Sequence, residues 1–203
     1  MLMVRAFTNS KLNKISNRDL LILAAAVIVI AVIYLLASYF NYGIGFPLDD
    51  SWIHQTYARN LAQRGEWAFR PGIPSAGSTA PLWSALLAIG FLISLSPYIW
   101  TYFLGALPLF ALAVVCECAV CMLVDLYRPK FPWVGIFFAV EWHFAWAAMS
   151  GMETLFHGLI VTTALVLLMT NTHRYLTLGL LTGLAAWVRP DGLTLLGPIL
   201  FTA

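Results

Sequence analysis

The sequence has little charge. Asp, Glu, Lys and Arg together make up 10% of its 203 residues, whereas hydrophobic residues make up 61%. Because soluble domains carry about 25% charged residues, this composition excludes an ordinary soluble protein and predicts an integral membrane protein. The formal net charge of +2 is too small to indicate a nucleic-acid-binding surface, so no nucleic acid is expected among its partners.

Cysteine is also scarce. The three cysteines, Cys116, Cys118 and Cys121, lie within one apolar run. A structural zinc site needs four ligands, and this run supplies no fourth ligand. We therefore interpret the three side chains as small apolar core residues, and their spacing predicts no disulfide.

Long apolar runs take the place of charge. Residues 20–39 form a run of about 20 residues, which is long enough to cross a bilayer core of ~30 Å. Four cations precede it and no small-residue cleavage site follows it, so it is predicted to be a retained first span with its basic end in the cytoplasm. Further spans are predicted over residues 99–126, 131–149, 155–169 and 175–188, and another begins at residue 193.

A polar stretch, residues 41–80, interrupts this pattern after the first span. Its first part has the spacing of an amphipathic helix in the headgroup plane, with Asp50, His54, Tyr57 and Leu61 on one face and Asn60 facing away. The next apolar run, residues 81–94, is about 14 residues long, which suits a helix of half the membrane depth better than a span.

The positive-inside rule then sets the topology. Arg128 and Arg174 should be cytoplasmic like the N-terminus. This holds if residues 81–94 do not cross the membrane, and the polar stretch, Glu153 and the turn at residues 189–191 then emerge together on the outer face. If residues 81–94 do cross, Glu153 moves to the cytoplasm and these groups separate.

The predicted fold class is therefore all-α. We expect a polytopic integral membrane protein with about six transmembrane helices, an outer-face juxtamembrane helix and a half-depth helix. Residues 1–203 form a single membrane domain: a cytoplasmic basic tail (1–18), the first span (19–40), an outer loop with the juxtamembrane helix (41–80) and a helical bundle (81–203). Because the sequence stops inside an apolar run, the bundle is expected to be truncated at its C-terminus.

Asp49 and Asp50 are the first candidates for chemistry. A carboxylate that is partly desolvated where lipid meets water has a raised pKa and suits general-base catalysis. The alternative is that one residue of this region is only a helix N-cap. A cap needs one side chain, so a pair of acids still leaves one for function.

Other charged residues at the outer ends of spans are candidates with structural alternatives. Glu153 could serve a site or only favour a helix N-terminus through the helix dipole. Arg189 could bind an anion or pair with Asp191. His54, on the face of Asp50, could orient that acid, although histidines in such proteins are commonly polar residues between helices.

Two acids lie within predicted spans. Glu117 and Glu141 are functional candidates because ionisable groups inside a membrane are costly. Glu117 could instead pair with a neighbouring helix, and Glu141 could lie near the outer face.

Five short motifs, in this order, resemble the GT-C glycosyltransferase superfamily, and most nearly its arabinofuranosyltransferase and mannosyltransferase-like branch. They cover nearly the whole chain. The motifs are Asp49-Asp50-Ser51-Trp52-Ile53, Tyr57-Ala58-Arg59-Asn60-Leu61, Gly77-Ser78-Thr79-Ala80-Pro81-Leu82-Trp83, Ser150-Gly151-Met152-Glu153-Thr154 and Trp187-Val188-Arg189-Pro190-Asp191-Gly192.

The resemblance implies an enzyme that moves a sugar from a polyprenyl-phosphate donor to a glycan, lipid or protein acceptor at the outer face of the cytoplasmic membrane. It implies Asp49 as the catalytic base, Asp50 and Glu153 as further acids of the site, and Arg189 or Arg59 as ligands of the donor phosphate. The transfer would be a single displacement with inversion. Some relatives use a divalent metal ion, which Asp49, Asp50 and Glu153 could hold.

The length departs from this family, whose members usually have ten or more spans. A partner chain would then supply the missing C-terminal half. Two functions of other classes remain open: a non-catalytic membrane subunit that retains the fold, and a small transporter with Glu117 and Glu141 on a polar path.

Overall fold

The computed structural model describes residues 15–124, 129–170 and 175–202. In these ranges it contains helices and no β-strand, which confirms the all-α class. Most of the predicted basic tail, together with Arg128 and Arg174, lies outside the described residues. The helices are α1 (Asn17–Tyr42), α2 (Asp49–Arg64), α3 (Pro81–Leu92), α4 (Pro97–Leu123), α5 (Trp133–Val140), α6 (Trp142–Met149), α7 (Thr154–Met169), α8 (Tyr175–Val188), a 3₁₀-helix (Pro190–Leu195) and α9 (Leu196–Thr202).

Two helices, α1 and α4, are long and apolar enough to cross a membrane. They contain 26 and 27 residues, and at 1.5 Å per residue each exceeds the hydrocarbon thickness of ~30 Å. The apolar helices α3, α7 and α8 are shorter, with 12, 16 and 14 residues. Membrane association thus rests on two helices, and the count of six spans stays a prediction.

The predicted span over residues 131–149 is divided into two helices of 8 residues each, α5 and α6. The break lies at Glu141. Its ψ of 130° leaves the helical region, and its Oε2 accepts a hydrogen bond from the backbone N–H of Phe144 at 3.0 Å. The carboxylate therefore caps the first turn of α6, which a hydropathy pattern alone does not reveal.

Glu117 has a similar structural task in the core formed by α1, α4, α5, α6 and α7. Its side chain is buried, and its Oε2 accepts from the backbone N–H of Gly135 at 2.9 Å, in the first turn of α5. Gly135 permits this close packing, because a Cβ there would lie 3.0 Å from the carbonyl oxygen of Ala113. Glu117 thus caps a neighbouring helix, as one of its two interpretations anticipated.

Helix α2 packs on α3, and the loop between them folds back onto α2. The periodicity predicted that Asn60 faces away from the side of the helix that carries His54 and Tyr57. Asn60 is nevertheless buried, with 2% of its surface exposed. That expectation was wrong because the Asn60 amide donates to the carbonyl oxygens of Ala68 and Phe69, at 2.8 and 3.2 Å. On the same helix the hydroxyl of Tyr57 accepts from the N–H of Gly77 at 2.7 Å.

Candidate active site

The site is built around the turn that joins α6 to α7. Gly151 in this turn has φ +83°, and a Cβ there would lie 2.7 Å from Phe46 Cδ1 and 3.0 Å from Ser51 Cβ. Ser51 donates to the carbonyl oxygen of Ser150 at 2.7 Å, and the indole N–H of Trp83 donates to that of Gly151 at 3.0 Å. Helices α2 and α3 therefore hold the turn in place.

Glu153, which follows this turn, joins three segments of the chain. Its Oε1 lies 3.3 Å from Arg189 Nη1, and its Oε2 lies 3.5 Å from His54 Nε2. Arg189 Nε donates in turn to Asp191 Oδ1 at 3.2 Å. Glu153 is 2% exposed, whereas the Arg189 side chain is 37% exposed. The buried acid thus holds a guanidinium that still reaches solvent.

His54 continues this chain of polar groups into the protein. Its Nδ1 lies 3.0 Å from the hydroxyl oxygen of Ser78, which lies 2.9 Å from that of Ser84. His54 Nε2 and Glu153 Oε2 have no hydrogen-bond partner within normal geometry. The two atoms lie 3.5 Å apart, so a proton on either one would form a hydrogen bond if they moved a few tenths of an ångström closer.

Burial controls the ionisation of this pair. Burial lowers the pKa of His54 to about 4; the charge of Asp50 opposes the shift, and that of Arg189 adds to it. Burial also raises the pKa of Glu153, against the effect of Arg189. Each group is thus biased toward its neutral form. Asp50 and Arg189 lie close enough to influence both.

Asp49 and Asp50 are exposed and form the first two residues of α2. Neither is the N-cap, since Leu48 holds that position without a side-chain hydrogen bond. Asp49 Oδ1 accepts from the N–H of Asp50 at 3.0 Å. Asp50 lies one turn before His54. Of the two aspartates, Asp50 is therefore on the same side of α2 as His54 and its buried polar contacts.

The structure does not bring all the candidates together. Arg59 is exposed on α2, and in the described parts of the chain no ion pair joins it to Glu153 or either aspartate. Asp49, Asp50 and Glu153 also do not form a group that could hold a metal ion, and the described residues contain no cluster of three or more such ligands.

Ser78 and Ser84 are site residues to which the sequence assigned no role. Ser78 lies in one of the five motifs, and Ser84 follows directly after it, so their positions were the available signal. His157 was also missed. It lies one turn into α7, its N–H donates to the carbonyl oxygen of Glu153 at 2.9 Å, and its Nε2 is buried without a partner.

Comparison with known proteins gives no relative: no family model, no curated protein and no solved structure matches the chain. The resemblance to GT-C enzymes therefore rests on the five motifs, and the function has to be argued from the site.

Proposed function

We propose that the chain is an integral membrane glycosyltransferase of the GT-C type. It transfers a sugar from a polyprenyl-phosphate donor to an acceptor at the outer face of the cytoplasmic membrane. In this proposal the chain spans the membrane about six times with its N-terminus in the cytoplasm.

One observation carries the proposal: Glu153 and Asp191 hold the Arg189 guanidinium, which is 37% exposed, and Glu153 also lies 3.5 Å from His54, one turn after Asp50 on α2. A guanidinium fixed by two carboxylates is oriented for an anion that approaches from solvent. Asp49 and Asp50 are exposed, so an acceptor hydroxyl can reach their carboxylates. Phosphate binding and proton removal are the two tasks that this transfer needs.

The chemistry is a single displacement. The Asp49 carboxylate accepts the proton of an acceptor hydroxyl, and the hydroxyl oxygen bonds to the anomeric carbon of the donor. The bond from that carbon to the phosphate oxygen breaks, and the electron pair leaves with the polyprenyl phosphate. Arg189 stabilises the charge that develops on this phosphate. Glu153 is too buried to touch substrate, so it acts by positioning Arg189.

The structural tasks of Glu117 and Glu141 weaken the transporter alternative. That alternative needs acids along a polar path through several helices. Here the first caps α5 and the second caps α6, so each acid already has a structural reason for its position.

The test is a transfer assay with the full chain in membranes and a panel of radiolabelled polyprenyl-phosphate sugars. We expect Asp49→Asn to lower transfer by about 10²- to 10⁴-fold, the usual contribution of a general base. Asp19→Asn is the control, because Asp19 belongs to the capping box at the start of α1. Transfer that survives in both Asp49→Asn and Asp50→Asn would contradict the proposal.

Two arginines give a matched comparison in the same assay. We expect Arg189→Lys to reduce transfer about 10-fold or more, because a lysine cannot keep the two-sided guanidinium contacts. Arg59→Lys should have little effect. An equal loss of transfer in the two variants would contradict the idea that the contact with Glu153 makes Arg189 the phosphate ligand. A folded chain with no transfer at all would favour the non-catalytic subunit.

A further inference from the structure

A concave site lies where α1 ends and α6 begins. It is a cavity of about 750 Å³, which we call the aromatic cavity. Five aromatic side chains line it together with Asn41 and the segment at residues 43–47. These five are Tyr34, Tyr42, Phe46, Trp142 and Trp146.

Hydrogen bonds and ring packing hold part of the wall of the aromatic cavity in place. Tyr102 donates to the carbonyl oxygen of Gly45 at 2.9 Å, and the N–H of Gly43 donates to that of Ser38 at 3.1 Å. Tyr34 and Trp142 pack with ring centroids 5.3 Å apart. The Glu141 cap places Trp142 at the start of α6. A cavity whose wall is already ordered loses little entropy when a ligand binds.

The chemistry of the lining indicates the ligand class. None of the residues that line the aromatic cavity in the described part of the chain is charged. The indole N–H groups of Trp142 and Trp146 donate to no protein acceptor there, whereas those of Trp83 and Trp100 donate to backbone carbonyls. Aromatic faces beside unused donors suit a neutral ligand that has both C–H faces and oxygen acceptors. A carbohydrate ring has this combination.

The aromatic cavity also adjoins the candidate active site. Phe46 lines the cavity and contacts the Gly151 turn that precedes Glu153. The lining segment ends at Pro47, two residues before Asp49. The segment that lines the cavity therefore leads directly into the acidic start of α2.

We propose that the aromatic cavity binds a neutral carbohydrate and holds the acceptor of the transferase. The role of the carbohydrate as acceptor rests on the proposed function, but binding of a carbohydrate can be tested without transfer. The competing occupant is a lipid acyl chain, since tyrosine and tryptophan also gather where membrane meets water.

The test uses the full chain in nanodiscs, with the methyl glycosides of mannose, galactose and arabinose as probes in saturation-transfer difference NMR. We expect saturation of the ring protons of at least one probe. Trp142→Ala should weaken binding about 5-fold or more through the lost stacking. Trp133→Ala removes an exposed tryptophan outside the cavity lining and should change nothing.

Other outcomes overturn the proposal. The first is saturation that is unchanged in Trp142→Ala. The second is absent saturation together with quenching by lipids carrying brominated acyl chains that is smaller in Trp142→Ala than in the native chain. If Trp142→Ala does not fold, two milder variants replace it. Trp142→Phe removes the indole N–H and Asn41→Ala removes the amide, and each should weaken binding of the probe. Asp49→Asn should retain probe binding while it loses transfer. Binding without transfer in the native chain removes the proposed function alone, and transfer without cavity-dependent binding removes the carbohydrate site alone.

Discussion

Two Glu–His pairs lie beside helix junctions in the described part of the chain, and they differ in burial. Glu153 and His54 are each 2% exposed and lie 3.5 Å apart, with Arg189 on the far side of the carboxylate. Glu141 and His143 lie 2.6 Å apart, but the His143 side chain is 88% exposed. The first pair brings α2, the start of α7 and the turn after α8 together, whereas the second lies within one short stretch of chain.

The difference shows that burial, more than the residue types, determines how much a Glu–His pair affects stability and ionisation. Water solvates the charges of the exposed pair, so its contact has a small net effect. The buried pair has lost that solvation, and the protein must supply every partner. The buried pair therefore depends on the protein for every partner, and it also holds an arginine that it can orient.

The largest expected effect separates the two glutamates. Glu153→Ala should lower the free energy of unfolding by ~3 kcal/mol, because it removes a buried side chain and leaves the buried His54 Nε2 beside an empty space. Glu141→Ala should cost less, since only the cap of α6 is lost. SDS titration of the purified chain followed by circular dichroism measures both. Equal losses would show that burial does not distinguish the pairs.

The next effect is a pH dependence that belongs to the buried histidine. The pKa of His54 is about 4 in the folded chain against about 6.5 when unfolded, so over this window the unfolded chain binds a proton that the folded chain does not. Stability should fall as the pH is lowered from about 6.5 to about 4, by up to ~3 kcal/mol. Unfolding titrations at a series of pH values measure this slope.

His54→Gln should remove this slope, and His143→Gln should leave it in place. Glu153 works in the opposite direction: because its folded pKa is raised, its contribution is lost as the pH rises through that value. The slope should therefore become steeper in Glu153→Gln. A slope that persists unchanged in His54→Gln would assign it to other groups.

The smallest effect concerns the support of the buried histidine. Ser78→Ala should cost ~1 kcal/mol, since it leaves His54 Nδ1 with only the longer contact to Ser84 at 3.4 Å. His143→Ala should have no measurable effect on unfolding. The same SDS titrations compare them, and a Ser78→Ala variant as stable as the native chain would mean that water or Ser84 replaces the bond.

Apolar periodicity predicted much of the helical framework, because the length and composition of a run limit what it can form. The prediction for residues 175–188 coincides with α8, and that for 155–169 differs from α7 by one residue. The break at Glu141 was not predicted, since a capping carboxylate inside an apolar run does not change the hydropathy. Asn60 was misplaced because its partners are carbonyl groups of a loop that follows the helix.

The candidate site was anticipated in part. The sequence singled out Glu153, Arg189, Asp191 and His54, and the structure brings these four into one chain of contacts. It left Glu153 and Arg189 with alternatives that only burial and distance could separate. Ser78 and Ser84 were assigned no role, because no sequence pattern indicates that a serine makes a buried hydrogen bond. The roles of Asp49 and Arg59 in transfer stay predictions.

The sequence by itself determined that this chain is helical, apolar and poor in charge, with its few polar motifs gathered between apolar runs. These properties follow from local composition and periodicity, which do not depend on contacts with distant parts of the chain. Only the tertiary structure decided which Glu–His pair is buried, which arginine is held, and where the aromatic cavity lies. Those properties depend on contacts between residues far apart in the chain, and the loss of water at each contact sets their chemistry.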